Sequence, residues 1–108
     1  MCIRDRLAAA AKLWIAQGYR RLKMVVGHEA LRRREARPLS DVIQEDAARV
    51  CAVRDAVGPD VELFIDANCS LDLHHAVRLA EMVKPCAISF FEEPITQNDV
   101  LQLSLIHI

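Results

Sequence analysis

Residues 61–72, VELFIDANCSLD, and residues 87–94, AISFFEEP, decide the fold. Val61, Leu63 and Ile65 alternate with Glu62, Phe64 and Asp66, the period of a strand that sets one face against helices and carries Asp66 on the other. Asp72 then stands where a helix cap belongs. Leu73, Ala76, Val77, Ala80 and Val83 recur at helical spacing as the buried stripe that follows, and Lys84-Pro85 ends it. A second strand over residues 87–92 closes on Glu92 and breaks at Pro94.

The same alternation continues upstream. Leu7 to Gln17 reads as an Ala-rich helix with Leu13, Trp14 and Ile15 as its apolar mass, stopped by Gly18. Leu22 to Val26 reads as a short strand. A polar loop, residues 27–39, holds His28, Arg32, Arg33, Arg34 and Arg37 and closes on Pro38. Ser40 or Asp41 caps the next helix, whose apolar positions Ile43, Ala47, Val50 and Val57 lead to Gly58-Pro59. Helix–strand units on short connections predict an α/β fold with a parallel sheet and right-handed crossovers, either doubly wound or a β/α barrel. The three glycines, Gly18, Gly27 and Gly58, match no dinucleotide or Walker spacing. Charged residues at strand C-terminal ends match a barrel's catalytic face instead.

The chain has 108 residues, 53% of them hydrophobic and 27% charged, the composition of one globular domain. A net charge of -1 provides no field to gather nucleic acid or anionic lipid, so neither is expected as a partner. No run of about 18 apolar residues is present, which excludes a helical membrane span, and the first residues lack a secretory signal's apolar core. A cytoplasmic location is the expectation. Cys2, Cys51, Cys69 and Cys86 form no C-x-x-C pair and read as reduced thiols, mostly core fillers.

Both termini carry a separate signal. Leu103 to Ile108, LSLIHI, is encoded by CTG TCT CTT ATA CAC ATC in one allowed codon set. The opposite strand of that DNA, read from its second base, gives Met-Cys-Ile-Arg-Asp, and the chain begins Met1, Cys2, Ile3, Arg4, Asp5, Arg6. The shared string resembles a transposase recognition end used in sequencing libraries. Residues 1–6 and 103–108 are therefore expected to be translated adapter, and residues 7–102 the natural segment, part of a longer protein. Setting aside Arg4, Asp5 and Arg6 leaves 12 basic and 14 acidic residues from the 14 and 15 of the whole chain.

Asp66 and Glu92 close consecutive strands, so both carboxylates project over one mouth. Two hard oxygen donors without a nearby histidine or thiolate suit Mg2+ better than Zn2+, with a third ligand expected further on. Lys23 faces the same mouth by the period-2 rule, and a desolvated lysine beside a cation has a lowered pKa and can act as base or electrostatic partner. Glu93 reads as a loop-facing carboxylate, His74 and His75 as solvated or packing residues on an outer helix, and His28 with its arginines as a solvated loop on the catalytic side.

The strings GYRRLKMVVG (18–27), DAVGPDVELFIDANCSLD (55–72) and FFEEPITQND (90–99), in this order and spacing, resemble the enolase superfamily, and within it the mandelate racemase and muconate lactonizing group. The resemblance implies about three β/α units of a (β/α)7β TIM-like barrel, a capping domain elsewhere, one Mg2+, and a homo-oligomeric parent acting on a small-molecule carboxylate. It makes Asp66 and Glu92 metal ligands, sets Asn68 near metal and substrate, and gives Lys23 a catalytic position. The implied reaction removes the proton α to a carboxylate to give an enolate that the metal stabilises. The family commonly carries Lys-x-Lys on the first of these strands, whereas here Val25 occupies the second position. Loss of a base on that face disfavours a two-base racemase or epimerase and favours a dehydratase of acid sugars or hydroxy acids. A racemase, a cycloisomerase and a barrel paralogue without turnover remain the alternatives, and the chain alone is expected to be inactive.

Overall fold

The computed structural model describes residues 2–27, 37–96 and 100–106. The elements run α1 (Ile3–Ala16), β1 (Arg21–Val25), α2 (Leu39–Val57), β2 (Glu62–Asp66), α3 (Leu73–Val83), a 3-10 turn (Lys84–Cys86), β3 (Phe90–Glu92) and α4 (Val100–Leu103). The strands form one sheet in the order β1-β2-β3, and both pairs are parallel. Each crossover carries a helix, as the alternating pattern requires.

Alternation along the strands sorts the sheet into two faces. Leu63, Ile65 and Phe91 are buried in a single apolar cluster with Ala11 of α1, Ile43, Ala47 and Val50 of α2, and Ala76, Leu79 and Val83 of α3. On the other face Lys23, Phe64 and Phe90 share one register row, and Val25, Asp66 and Glu92 share the next. Val25 and Phe90 are half exposed there, at 49% and 54%. Helices therefore cover one side and leave the chemistry-bearing side open.

Several boundaries differ from those expected. The first helix starts four residues before Leu7, and it buries Ala11 while Leu13 and Trp14 stay exposed. Leu13, Trp14 and Ile15 are consecutive and so spread around the helix, whereas Leu7, Ala11 and Ile15 line the stripe available for packing. Trp14 instead meets Tyr19 edge-on at 5.3 Å. The first strand is Arg21–Val25, one residue earlier than Leu22–Val26. Neither Ser40 nor Asp41 caps α2: Pro38 is the N-cap, without a side-chain bond, and Asp41 lies in the first turn, where its charge suits the helix dipole. Asp72 does cap α3, accepting the His75 amide at 2.8 Å. The third strand begins only at Phe90, because Ala87 takes a left-handed conformation (φ 48°) in the turn that delivers the chain to the sheet.

The turn is fixed by Arg54. Its guanidinium donates to the carbonyls of Gly58 and Val61 at 2.8 and 2.7 Å, and to those of Cys86 and Ala87 at 2.7 and 3.1 Å. One side chain thus ties the end of α2 to the entries of β2 and β3. Beside it Cys51 and Cys86 form a disulfide with a Cα–Cα separation of 5.6 Å, which corrects the reading of these two as reduced thiols. Sequence spacing gave no sign of it, because only packing of α2 on the 3-10 turn brings positions 35 residues apart together. Among the described residues Cys2 and Cys69 take part in no disulfide. His28 and Arg32 to Arg34 lie outside the described residues. Arg37 forms a paired bond to Glu45, at 3.0 and 2.9 Å, which holds that carboxyl below its usual range. Among the described residues no helix is long and apolar enough to cross a membrane.

Candidate functional site

The C-terminal ends of the three strands bring together three of the residues singled out in the sequence. Asp66 and Glu92 are direct register partners, so their side chains leave adjacent strands on the same face. Lys23 lies one row below on β1, and its long stem carries the ammonium up between them. Lys23 Nζ donates to Asp66 Oδ2 at 3.1 Å and to Glu92 Oε2 at 2.9 Å. Both carboxylates therefore converge on one point.

The three members are unequally solvated. The Asp66 side chain is 10% exposed, that of Glu92 40% and that of Lys23 51%. Burial holds Asp66 as the fixed wall of the site while the ammonium faces the opening. Lys23 has its pKa raised above the usual lysine value, first by the bond to Glu92 and then by that to Asp66, against a smaller opposing effect of desolvation. The lowered pKa expected of Lys23 belongs to a lysine beside a bound divalent cation; here two carboxylates hold its ammonium instead.

Backbone strain surrounds the pair. Asn68, Cys69 and Glu93 all have positive φ, at 48°, 57° and 42°, and all lie within three residues of the ends of β2 and β3. L-residues adopt that region at a cost of about 1–2 kcal/mol each unless neighbouring bonds hold them there. Those bonds are present. The Asn68 amide donates to Asp66 Oδ1 at 2.9 Å, which fixes the carboxylate's second oxygen. The Ala67 amide donates to the Glu92 carbonyl at 3.1 Å and the Cys69 amide to the Glu93 carbonyl at 2.8 Å, so the two strand exits stay locked together. Asn68 itself is exposed at the mouth. Glu93 is also exposed and contributes its carbonyl to this lock, in keeping with a loop-facing role. His74 and His75 sit in the first turn of α3, where His75 bonds to Asp72 at 2.7 Å and meets His74 edge-on.

The donor set fits a hard divalent cation. Two carboxylate oxygens meet at a point that already accepts one positive charge, and carboxylate oxygen is the chemistry Mg2+ selects. Among the described residues no cluster of three or more metal-ligating side chains exists, so a complete shell draws on donors beyond these.

Asp46 was missed in the sequence. It is fully buried on α2, accepts the Gly27 amide at 2.7 Å and pairs with Arg49. A signal was available: positions 43, 46, 47 and 50 form the apolar stripe of that helix, and a carboxylate within such a stripe must be paired. Arg54 and Ser70, whose buried hydroxyl has no hydrogen-bond partner among the described residues, were equally overlooked.

Comparison with known proteins agrees with this fold. Residues 5–107 match a family described as enolase C-terminal domain-like. The chain is 29% identical over 100 residues to arabinonate dehydratase of Saccharolobus solfataricus, covering 93% of this chain and 23% of that enzyme. It superposes with a TM-score of 0.78 and 30% identity on the crystal structure of 3,6-anhydro-D-galactonate cycloisomerase from Zobellia galactanivorans, over 97% of this chain and 26% of the other. A racemase from Streptomyces coelicolor A3(2) with bound magnesium gives 0.75 and 28% identity, over 95% and 27% of the two chains. The chain thus spans about a quarter of the length of these relatives.

Proposed function

The chain belongs to the enolase C-terminal domain-like family, and from that membership and the strand-end geometry we propose that it is part of the barrel of a Mg2+-dependent lyase or isomerase that removes the proton α to a carboxylate. The observation that carries the proposal is the convergence of Asp66 Oδ2 and Glu92 Oε2 on one cation, here the Lys23 ammonium. The magnesium bound by a racemase of the same fold supports it.

In this reading Asp66 and Glu92 hold Mg2+, together with a third carboxylate from a strand beyond the described sheet. When bound, the ion supplies Lewis-acid stabilisation of negative charge developing on the substrate. Asn68 locks Asp66 from behind through its amide and presents its side chain to the substrate. Lys23, with its ammonium at the mouth, offers an electrostatic partner for the substrate carboxylate. Val25 lies in the same row as Asp66 and Glu92, half exposed on the open face, and has no group to take a proton. The base therefore acts from the opposite face, on a residue outside this chain.

A single base suits dehydration. It removes the α-proton, the β-hydroxyl leaves as water, and the enol product tautomerises to a 2-keto acid. The arabinonate dehydratase similarity favours an acid sugar as substrate, whereas the cycloisomerase similarity favours a ring opening or closure without loss of water. One experiment separates them: the full-length protein is incubated with Mg2+ and a panel of acid sugars in D2O and the products are read by NMR. Stereospecific loss of the α-proton with a 2-keto acid supports the dehydratase. An isomer of unchanged mass that forms with no loss of water would support the cycloisomerase. Deuterium entering both α-epimers at comparable rates would overturn the one-base reading.

A further inference from the structure

A buried charge stands behind the mouth. Asp46 has no exposed surface, lies inside the apolar stripe of α2, and is satisfied by Arg49 and by the Gly27 amide. A well-packed hydrophobic residue at such a place is commonly neutral or more stabilising than a buried ion pair, so stability alone does not account for a carboxylate there. Its location is informative. The ladder of β1 continues one step past the strand, where the Val26 amide reaches the Asp66 carbonyl at 2.9 Å. The following amide, Gly27, leaves the sheet with φ 67° and is caught by Asp46. Asp46 thus fixes the point at which the chain departs from β1 on the side of Asp66 and Glu92.

We propose that Asp46 is a positioning residue: its bond to the Gly27 amide pins the C-terminal end of β1, and so holds Lys23 and Val25 in place against the carboxylate pair. The proposal rests on the cation-site reading above for its catalytic consequence, but its structural part stands apart from it. Asp66 and Glu92 are carried by β2 and β3, whose mutual bonds do not pass through Asp46. Removing the pin therefore loosens β1 and spares the metal ligands.

The test uses the full-length protein with Asp46→Ala and Asp46→Asn. Amide hydrogen exchange in Asp46→Ala should speed up at Val26 by about tenfold or more, with Ala67, which bonds across β2 and β3, unchanged. Turnover of the acid sugar should fall about 10–100-fold in kcat, as small misplacements of a polar group do, with the calorimetric Kd for Mg2+ held within about twofold. Asp46→Asn keeps an acceptor for the Gly27 amide and should restore slow exchange at Val26 and most of kcat. If Asp46→Ala does not fold, Asp46→Glu moves the carboxylate by one methylene and should give the same exchange pattern. Unchanged exchange at Val26, or equal acceleration at Val26 and Ala67, overturns the proposal. Wild-type protein that binds no Mg2+ refutes the cation site and leaves the exchange result to decide the role of Asp46.

Discussion

Replacing Arg54 by Met keeps the alkyl stem and removes the four hydrogen bonds by which its guanidinium ties the end of α2 to the entries of β2 and β3. Three of those four bonds are part-buried, to Cys86, Gly58 and Val61, and the fourth, to Ala87, is exposed. A part-buried hydrogen bond contributes about 1 kcal/mol net, and an orphaned carbonyl adds to the loss, so the substitution should cost about 3 kcal/mol. The loss is local to the strand entries, and amide hydrogen exchange reads it there. At about 1.4 kcal/mol per decade, 3 kcal/mol corresponds to roughly 100-fold faster exchange. The amides to follow are Ser89, which bonds to the Leu63 carbonyl, and Glu62, which bonds to the Arg20 carbonyl, each at 2.9 Å. Val26, at the other end of the sheet, is the control. Acceleration below about threefold at Ser89 and Glu62, or the same acceleration at Val26, would refute the assignment of Arg54 as the clamp of the strand entries.

Gly27→Ala should be strongly destabilising in urea unfolding, because the new Cβ would land on the Ser70 hydroxyl at a left-handed φ of 67°. Adding Ser70→Ala should relieve the clash, since that hydroxyl has no partner to lose among the described residues, and leave about 1–2 kcal/mol of backbone strain; no recovery would contradict the packing. Asp72→Ala should cost about 1 kcal/mol through loss of the α3 cap. Desolvation raises the Asp72 pKa, but the backbone and side-chain bonds from His75 outweigh it and set the value below the ordinary 3.8. The cap's contribution is therefore full above that pH and fades as pH falls through the lower folded value, and a wild-type-minus-variant stability difference that grows on acidification would contradict it. Reducing the Cys51–Cys86 disulfide, which closes a span of 35 residues, should remove about 3–4 kcal/mol; thiol titration of the unfolded 108-residue chain, whose cysteines are Cys2, Cys51, Cys69 and Cys86, should find two reactive thiols before reduction and four after.

The pattern at residues 61–66 was legible because one buried and one open face leave a period of two in the sequence, and the structure places Leu63, Ile65 and Asp66 accordingly. Parallel pairing followed from the helices between strands, and the meeting of Asp66, Glu92 and Lys23 from their places at strand ends. What escaped were long-range contacts set by packing. Nothing local marks Arg54 as a ligand of four carbonyls, or Cys51 as a neighbour of Cys86. The face of α1 was misjudged because apolar residues at consecutive positions outweighed the quieter spacing of Leu7, Ala11 and Ile15. Nor did the sequence measure how exposed Lys23 is, or show that both carboxylates bond to it at once.

The central claim is that Asp66 and Glu92 are the two Mg2+ ligands contributed by this segment. Isothermal titration calorimetry of Mg2+ into the metal-free, full-length protein tests it most directly, with wild type compared against Asp66→Asn, Glu92→Gln and Glu93→Gln. The first two should each raise Kd by about tenfold or more, as loss of a charged oxygen donor requires, and Glu93→Gln should stay within about threefold of wild type. Unchanged affinity in Asp66→Asn and Glu92→Gln, or an equal loss in Glu93→Gln, would contradict the claim.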